Sequence, residues 1–414
     1  MGTWAGKQRL GLRENLLLSV YWFSLSFHWG ALLPVVIPAD VLRLVGDAEK
    51  ARYLGLVAAT GALVAMVAQP AFGAASDRCT HRLGRRRPFV AAGTVLNCVA
   101  LLGMAYSPAV LPFALSFFLV QLCNNLSQGP YHALIPDLVP EEERGTASGF
   151  MGLMTMLGTI GGLGLAGLMV GRGLRVEFYW LMVVVMMAGM LLTLWGVPEV
   201  PNRRAPPFDL RRFLASFWID PRLHPDFGWV FLTRALMMLA FYTLLDFLEY
   251  YLKDVLLLPD FVEATTLAGG AVMLGATAST LAAGWLSDRT GRKPLVFAAG
   301  MLMGLAALVF LSTTSFPLVL AFGVVFGLGY GAYTSVDWAL AVDVLPEVRA
   351  AGKDLGLWSI AITLPQVIAP LIGGPILQAF RPVSLSLGYR VLFGIAFLYS
   401  LAGSALVWKI RKAR

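Results

Sequence analysis

Asp337 stands inside the apolar run "GAYTSVDWALAVD" (331–343), six residues before Asp343, or ~9 Å along a helix. A carboxyl at that depth in a membrane costs about 2.5–3.5 kcal/mol, so it calls for a function or a partner. Two chemistries fit: carrying a proton or cation, or a salt bridge to a neighbouring helix. Asp246 and Glu249 lie three residues apart, on one helical face flanked by Tyr242 and Tyr250. They are further candidates for coupling, although Glu249 also has Lys253 at i+4. His132, and His28 beside Trp29, can titrate near neutral pH or serve as hydrogen-bonded core residues. Arg234 also lies within a run, and Asp40 at the end of one reads as interfacial. No Ser–His–Asp set, HExxH motif or P-loop is present, so neither an enzyme nor a cofactor or metal is expected.

A second group could bind a neutral solute rather than react with one. Gln121, Asn124, Asn125 and Gln128 offer amide donors and acceptors within eight residues. Trp22, Trp29, Tyr131, Tyr242, Tyr333, Trp338 and Trp358 offer faces for stacking a sugar ring. Aromatics are ordinary in membrane spans, so only part of this set need face a cavity.

The third group is cationic. "SDRCTHRLGRRRPFV" (76–90) holds five arginines and a single acid, Asp77. It could serve as a nucleic-acid patch, a phosphate site or a membrane-topology device. The surrounding chain decides. Of 414 residues, 58% are hydrophobic and 14% charged, a composition outside the soluble range. Solid apolar runs recur throughout, which indicates transmembrane helices and argues against an alternating β-barrel. The net charge of +8 then belongs to loops on the positive-inside rule, and no nucleic-acid partner is expected. The three cysteines form neither a metal spacing nor a disulfide framework.

Twelve apolar segments are expected, at about 15–40, 53–75, 88–107, 109–136, 146–170, 177–197, 229–252, 263–286, 294–312, 316–342, 354–379 and 388–408. The fold class is an all-α membrane protein of twelve transmembrane helices in two six-helix repeats. The expected domains are an N-terminal bundle (1–197), a cytoplasmic linker (198–228) and a C-terminal bundle (229–414). The linker is rich in proline and arginine, and "FDLRRFLASFWID" within it reads as an interfacial helix. The N-terminal apolar run is too long for a signal peptide and reads as an uncleaved first span. With both termini cytoplasmic, the inner segments carry most of the 32 lysines and arginines, which suits a multi-pass protein of the cytoplasmic membrane.

The repeat is visible in the loops. "GAASDRCTHRLGRRRPFV" from Gly73 and "GWLSDRTGRKPLVF" from Gly284 share G-x-x-S-D-R, a G-R-(R/K) cluster and a proline. Asp77 and Asp288 are thus about half the chain apart. A weaker echo, needing a four-residue insertion, joins 129–149 to 331–356. Twelve spans with this motif after spans 2 and 8 resemble the major facilitator superfamily. The longer first copy and "NNLSQGP" (124–130) resemble its sucrose-transporter branch, close to the glycoside–pentoside–hexuronide cation symporters. Physically, arginines can clamp Asp77 and Asp288 at helix ends. The resemblance implies that they latch a cytoplasmic gate. The gate set is Asp77, Arg78, Gly84, Arg85, Arg86, Glu143 and Arg144 with Gly284, Asp288, Arg289, Gly291, Arg292 and Lys293. The acidic run Glu141–Glu143, and Glu347 with Arg349, are expected partners of the basic loops.

The resemblance also implies alternating access, a cavity among spans 1, 4, 7 and 10, and a sugar or glycoside cargo. The expected partners are a small solute, a co-transported proton or cation and the bilayer, with the protein a monomer. The sequence departs from that branch in span 4. Gln121 stands where an intramembrane Asp is expected, and His132 where an Arg is expected. The branch's coupling pair is therefore not carried over, and Asp337, with Asp246 or His132, is expected to replace it. An exporter of amphipathic or drug-like compounds is the alternative, and a membrane enzyme or sensor a distant third. "GLGLAG" (162–167) matches a dinucleotide pattern only formally. Gly158 and Gly162 instead suit close helix packing.

Overall fold

In the computed structural model, residues 10–199, 219–259, 261–310, 313–346 and 351–412 are described. Most of these residues are helical, and no strand occurs among them. Backbone polar groups have no water to bond inside a bilayer, so apolar runs of this length must satisfy them internally as helices. Eleven stretches among the described residues are long and apolar enough to cross a membrane. Together with the helix that continues past Gly46, they make the expected twelve spans.

The helices are α1 (Leu12–Ala31), α2 (Ile37–Asp77), α3 (Arg87–Ala105), α4 (Val110–His132), a short α5 (Leu134–Leu138), α6 (Arg144–Gly171) and α7 (Arg175–Gly196). The second half supplies α8 (Pro225–Asp254), α9 (Phe261–Thr290), α10 (Arg292–Phe310), α11 (Phe316–Asp343), α12 (Ala351–Phe380) and α13 (Leu385–Leu406). Proline in the first turn starts α3, α8 and α11, where its missing N–H leaves nothing unpaired. The expected gap between spans 1 and 2 is much shorter than the sequence suggests. A π-helical turn, Leu32–Val36, joins α1 to α2, and the break falls at Gly46, whose φ of 74° suits glycine. The interfacial helix expected in the linker falls largely on 200–218, outside the described residues.

By contacts the chain forms two compact units. Unit 1 is Met1–Glu141, Leu153–Trp218 and Glu347–Leu357, and unit 2 is Glu142–Gly152, Ile219–Pro346 and Trp358–Arg414. The first turns of α6 thus belong to unit 2, and those of α12 to unit 1.

Glycines set the packing inside each unit. In unit 1 a Cβ on Gly158 or Gly162 would strike the carbonyl oxygen of Phe23 or Phe27 in α1. In unit 2 Gly327 and Gly331 of α11 lie as close to the carbonyls of Val272 and Ala276 in α9. Asp40 is fully buried within unit 1. It accepts from Arg175 Nη1 (2.8 Å), Tyr179 OH (2.8 Å) and Arg43 Nε (3.2 Å), tying α2 to the start of α7. A carboxylate at a span end escapes the desolvation penalty only with such partners.

Candidate functional site

The two motif copies build the same network, one in each unit. In unit 1, Arg86 is fully buried and binds Asp77 through Nη1 and Asp137 through Nε (3.0 Å). Arg85 bonds the other oxygen of Asp137, and Ser76 Oγ accepts from Arg86. In unit 2, Arg292 binds Asp288 through Nη1 (2.6 Å) and Asp343 through Nε (3.0 Å). Ser287 Oγ accepts from Arg292 Nη1 at 2.8 Å, and Arg144 Nη1 bonds the other oxygen of Asp343 at 2.9 Å. Each arginine is thus held between two carboxylates, one from its own motif and one from the end of α5 or α11.

The aspartates have a second job that the arginine-latch reading misses. Asp288 accepts from the backbone N–H of Gly145 (2.8 Å) and Thr146 (2.7 Å) and from Thr146 Oγ1 (2.7 Å). Asp77 accepts from the backbone N–H of Gly352 and Lys353, both at 3.2 Å. These amides open α6 and α12, where the first turn has orphan donors and a positive dipole end. Each motif aspartate therefore caps a helix from the other half of the sequence. The approach is close: a Cβ on Gly73 would strike the carbonyl of Gly352, and one on Gly284 the carbonyl of Gly145.

Glu199, just past α7, accepts from the backbone N–H of Arg85 (2.9 Å), Arg86 (2.7 Å) and Arg87 (3.0 Å). It caps α3, and Gly84, at φ 111°, gives it room. Burial pushes the Glu199 carboxyl up, against the pull of those amides. Burial likewise raises Asp77, against Arg86 and the Lys353 amide. For Arg86 burial opposes the charge, but Asp137 and Asp77 outweigh it and hold the guanidinium as a cation.

Among the remaining gate residues, Arg78 ends α2, and Gly291 makes a left-handed turn at φ 93°. Arg289 lies 3.8 Å over the Trp285 ring. Lys293 makes no ion pair among the described residues. Glu143 ends a 3-10 turn, while Glu347 and Arg349 lie outside the described residues.

In unit 2, Asp337 is fully buried and its Oδ2 bonds Nη1 of Arg234, nine residues into α8. The Arg234 guanidinium carbon lies 3.5 Å from the centre of the Trp358 ring, and Trp358 meets Trp338 edge-on at 5.0 Å. Tyr333, one turn before Asp337, is fully buried. The structure thus brings Asp337, Tyr333, Trp338 and Trp358 together around an arginine. Asp246 is twelve residues beyond Arg234, ~18 Å along α8, and is exposed. Neither Asp246 nor Glu249 makes an ion pair among the described residues, and Lys253 lies over Phe261 instead. Tyr242 lies between the two levels, partly buried, with Phe241 stacked on Tyr330 at 4.2 Å.

In unit 1, the His132 ring stacks on Trp22 at 4.6 Å, and Gln69 Nε2 donates to its Nδ1 at 3.1 Å. Tyr131 OH donates to the carbonyl of Leu18, tying α4 to α1. Some of the span-4 amides pair within their own helix. Asn125 Nδ2 donates to the carbonyl of Gln121, Asn124 Nδ2 to Gln128 Oε1, and Gln121 lies against Gly61. His28 is fully buried beside Trp29, and its two nitrogens have no partner among the described residues.

Asp137, Asp343, Glu199, Gln69 and Arg234's pairing were not assigned from sequence. The weak echo does align Asp137 with Asp343, ahead of "VP" and "LP", once its insertion is allowed.

Apolar helices in series, a motif built twice with the same aspartate cap, and a buried ion pair are what transporters of the major facilitator superfamily carry, and the comparisons identify that class. The chain belongs to the family described as MFS/sugar transport protein, whose model matches residues 48–408. It is 28% identical over 170 residues to the sucrose transport protein SUC4 of Arabidopsis thaliana, covering 37% of this chain and 33% of that one. It is 33% identical over 122 residues to the sucrose transport protein SUT1 of Oryza sativa subsp. japonica, covering 24% and 23%. These matches span a third or less of the relatives' length. The fold is similar to that of a human organic anion transporter, MFSD10 (TM-score 0.75, 14% identity, 95% and 99% covered). It is also similar to a bacterial homologue of the iron transporter ferroportin (TM-score 0.71, 17% identity, 96% and 99% covered).

Proposed function

We propose that the protein is a proton-coupled transporter of a sugar or glycoside that works by alternating access. The observation that carries this is the buried Arg234–Asp337 pair, lined by Tyr333, Trp338 and Trp358. A carboxylate that is fully buried and balanced by one arginine can take up and release a proton if that arginine finds another partner. Trp338 and Trp358 are buried beside the pair, and opening of the site would bare apolar ring faces on which a sugar can stack. The sucrose-transport relatives support the cargo class. Asp337 then does in the second half what the resembling branch does in span 4, where this chain has Gln121 and His132. The hydrogen bond from Gln69 makes His132 Nδ1 an acceptor, which favours a positioning role for that ring.

The motif networks are the gate. Asp77 and Asp288 hold the first turns of α12 and α6, and breaking those caps frees the helix ends to move. The lysine and arginine bias supports a cytoplasmic side for these loops and both termini, in a cytoplasmic membrane.

Counterflow of radiolabelled sugars in proteoliposomes tests the reading. Exchange of at least one sugar is expected, and silence across a broad panel would sink it. Asp337→Asn should keep exchange but lose accumulation driven by a proton gradient.

A further inference from the structure

The two units reverse a charge at one point where their chains run in register. α7 and α13 are each 22 residues long. The fifth residue of each is a tyrosine whose hydroxyl donates to an aspartate at 2.8 Å, Tyr179 to Asp40 and Tyr389 to Asp254. A buried valine follows each helix, Val197 or Val407. In that register Glu199 corresponds to Lys409, each the third residue past its helix. Glu199 holds the amides of Arg85, Arg86 and Arg87 at the start of α3. The matching helix in unit 2 is α10, where Arg292 repeats Arg86 and Pro294 repeats Pro88. Lys293 then stands for Arg87, and its N–H has no hydrogen-bond partner among the described residues.

This reversal is unfavourable by itself. First-turn N–H groups and the positive end of the helix dipole attract an anion and repel an ammonium. Further cations join Lys409: Lys293 on α10, and Arg411 and Lys412 in the segment after α13. Asp226, buried at the start of α8, fixes that segment by accepting from the N–H of Arg411 (2.7 Å) and Lys412 (3.1 Å). Val407 and Ile410 are buried, while Trp408, Lys409, Arg411 and Lys412 are exposed. The segment is thus a strap pinned through its backbone, with its cations outward. The nearby carboxylates are committed elsewhere, Asp288 to the α6 amides and Arg292, and Asp343 to Arg292 and Arg144. Trp408 is more than half exposed, and its ring lies 6.2 Å from that of Phe297. Lys293 is one turn before Phe297, on the same face of α10. An exposed tryptophan at the end of a span marks the headgroup level of a bilayer.

We infer that the start of α10 and this strap bind the phosphate of an anionic phospholipid, in the place that the Glu199 carboxylate takes in unit 1. The phosphate meets the α10 dipole end, Lys293 and Lys409, with Arg411 and Lys412 at its rim. The acyl chains run into the bilayer past Trp408 and Phe297. A soluble anion finds the same charges but gains nothing from that apolar edge. The site is independent of the cargo and of Asp337.

The test uses the full-length protein in nanodiscs doped with photoreactive phosphatidylglycerol or photoreactive phosphatidylcholine. Cross-links to the peptides carrying 293–297 and 407–412 are read by mass spectrometry. Phosphatidylglycerol should label these peptides about tenfold more than phosphatidylcholine, and excess inorganic phosphate should not displace it. Each cation beside an anionic lipid contributes roughly fivefold, so Lys409→Gln should lower the preference by about that factor. Lys409→Glu gives α10 a carboxylate of its own and should abolish the preference there, with labelling elsewhere unchanged. Equal labelling by the two lipids, or a preference that survives in Lys409→Gln and Lys409→Glu, would overturn the inference. Displacement by phosphate would overturn it too, by assigning the site to a soluble anion.

Discussion

The two aspartate caps look alike in sequence and differ in strength. Asp288 takes three hydrogen bonds at 2.7–2.8 Å from Gly145 and Thr146, while Asp77 takes two at 3.2 Å from Gly352 and Lys353. Hydrogen bonds to a charged group contribute about 1.5–3 kcal/mol each, and long ones less. An asparagine keeps one acceptor oxygen but loses the charge. Asp288→Asn should therefore weaken the α6 cap by about 2–3 kcal/mol, and Asp77→Asn the α12 cap by about 1 kcal/mol. At about 1.4 kcal/mol per factor of ten, hydrogen exchange at Gly145 and Thr146 should accelerate roughly 30- to 150-fold in the first variant. Exchange at Gly352 and Lys353 should accelerate roughly fivefold in the second. Peptide-resolved exchange by mass spectrometry in nanodiscs reads both. Equal acceleration, or a larger effect at α12, would refute the argument from hydrogen-bond length and number.

Other consequences are smaller. Glu199→Ala removes the acceptor of three amides at the start of α3 and should lower stability by about 1 kcal/mol, seen as a lower melting temperature in detergent; Glu199→Gln should recover part of it. Gly162→Val pushes a side chain into the backbone of Phe27 and should cost about 1–3 kcal/mol, whereas Gly167→Val, with open space around it, should cost little. Asp77 titrates above its ordinary value because burial outweighs its partners. Between the ordinary and the raised value the folded state holds more protons than the unfolded one. The fold should thus lose stability as pH rises through that window and level off above it, and Asp77→Asn should flatten that part of the melting-temperature profile.

The spans were legible because each is a long apolar run, and lipid leaves such a run one way to satisfy its backbone. The duplicated motif was legible because its serine, aspartate, arginine and glycine recur in order, and in both units Arg86 and Arg292 adopt the same two-carboxylate geometry. What Asp77 and Asp288 hold was not legible, since backbone amides leave no signature in side-chain identity. Arg234 was visible as a charge within a span, but its pairing with Asp337 joins two helices about a hundred residues apart, and periodicity on either helix cannot report it. Gln121 and Asn125 were read as cavity lining from residue type alone. Asn125 also donates to its own helix backbone, a partner that residue type alone does not report. The turn between spans 1 and 2 was misjudged because a polar stretch, "DAEKAR", stays helical after Gly46.

The central claim is that sugar movement and proton movement meet at Asp337. Proteoliposomes carrying a trapped pH-sensitive dye measure it directly when a transported sugar is added outside at zero membrane potential. The wild type should acidify the lumen in step with sugar entry, and Asp337→Asn should exchange sugar with no pH change. Sugar entry without acidification in the wild type, or acidification that survives in Asp337→Asn, would contradict the account.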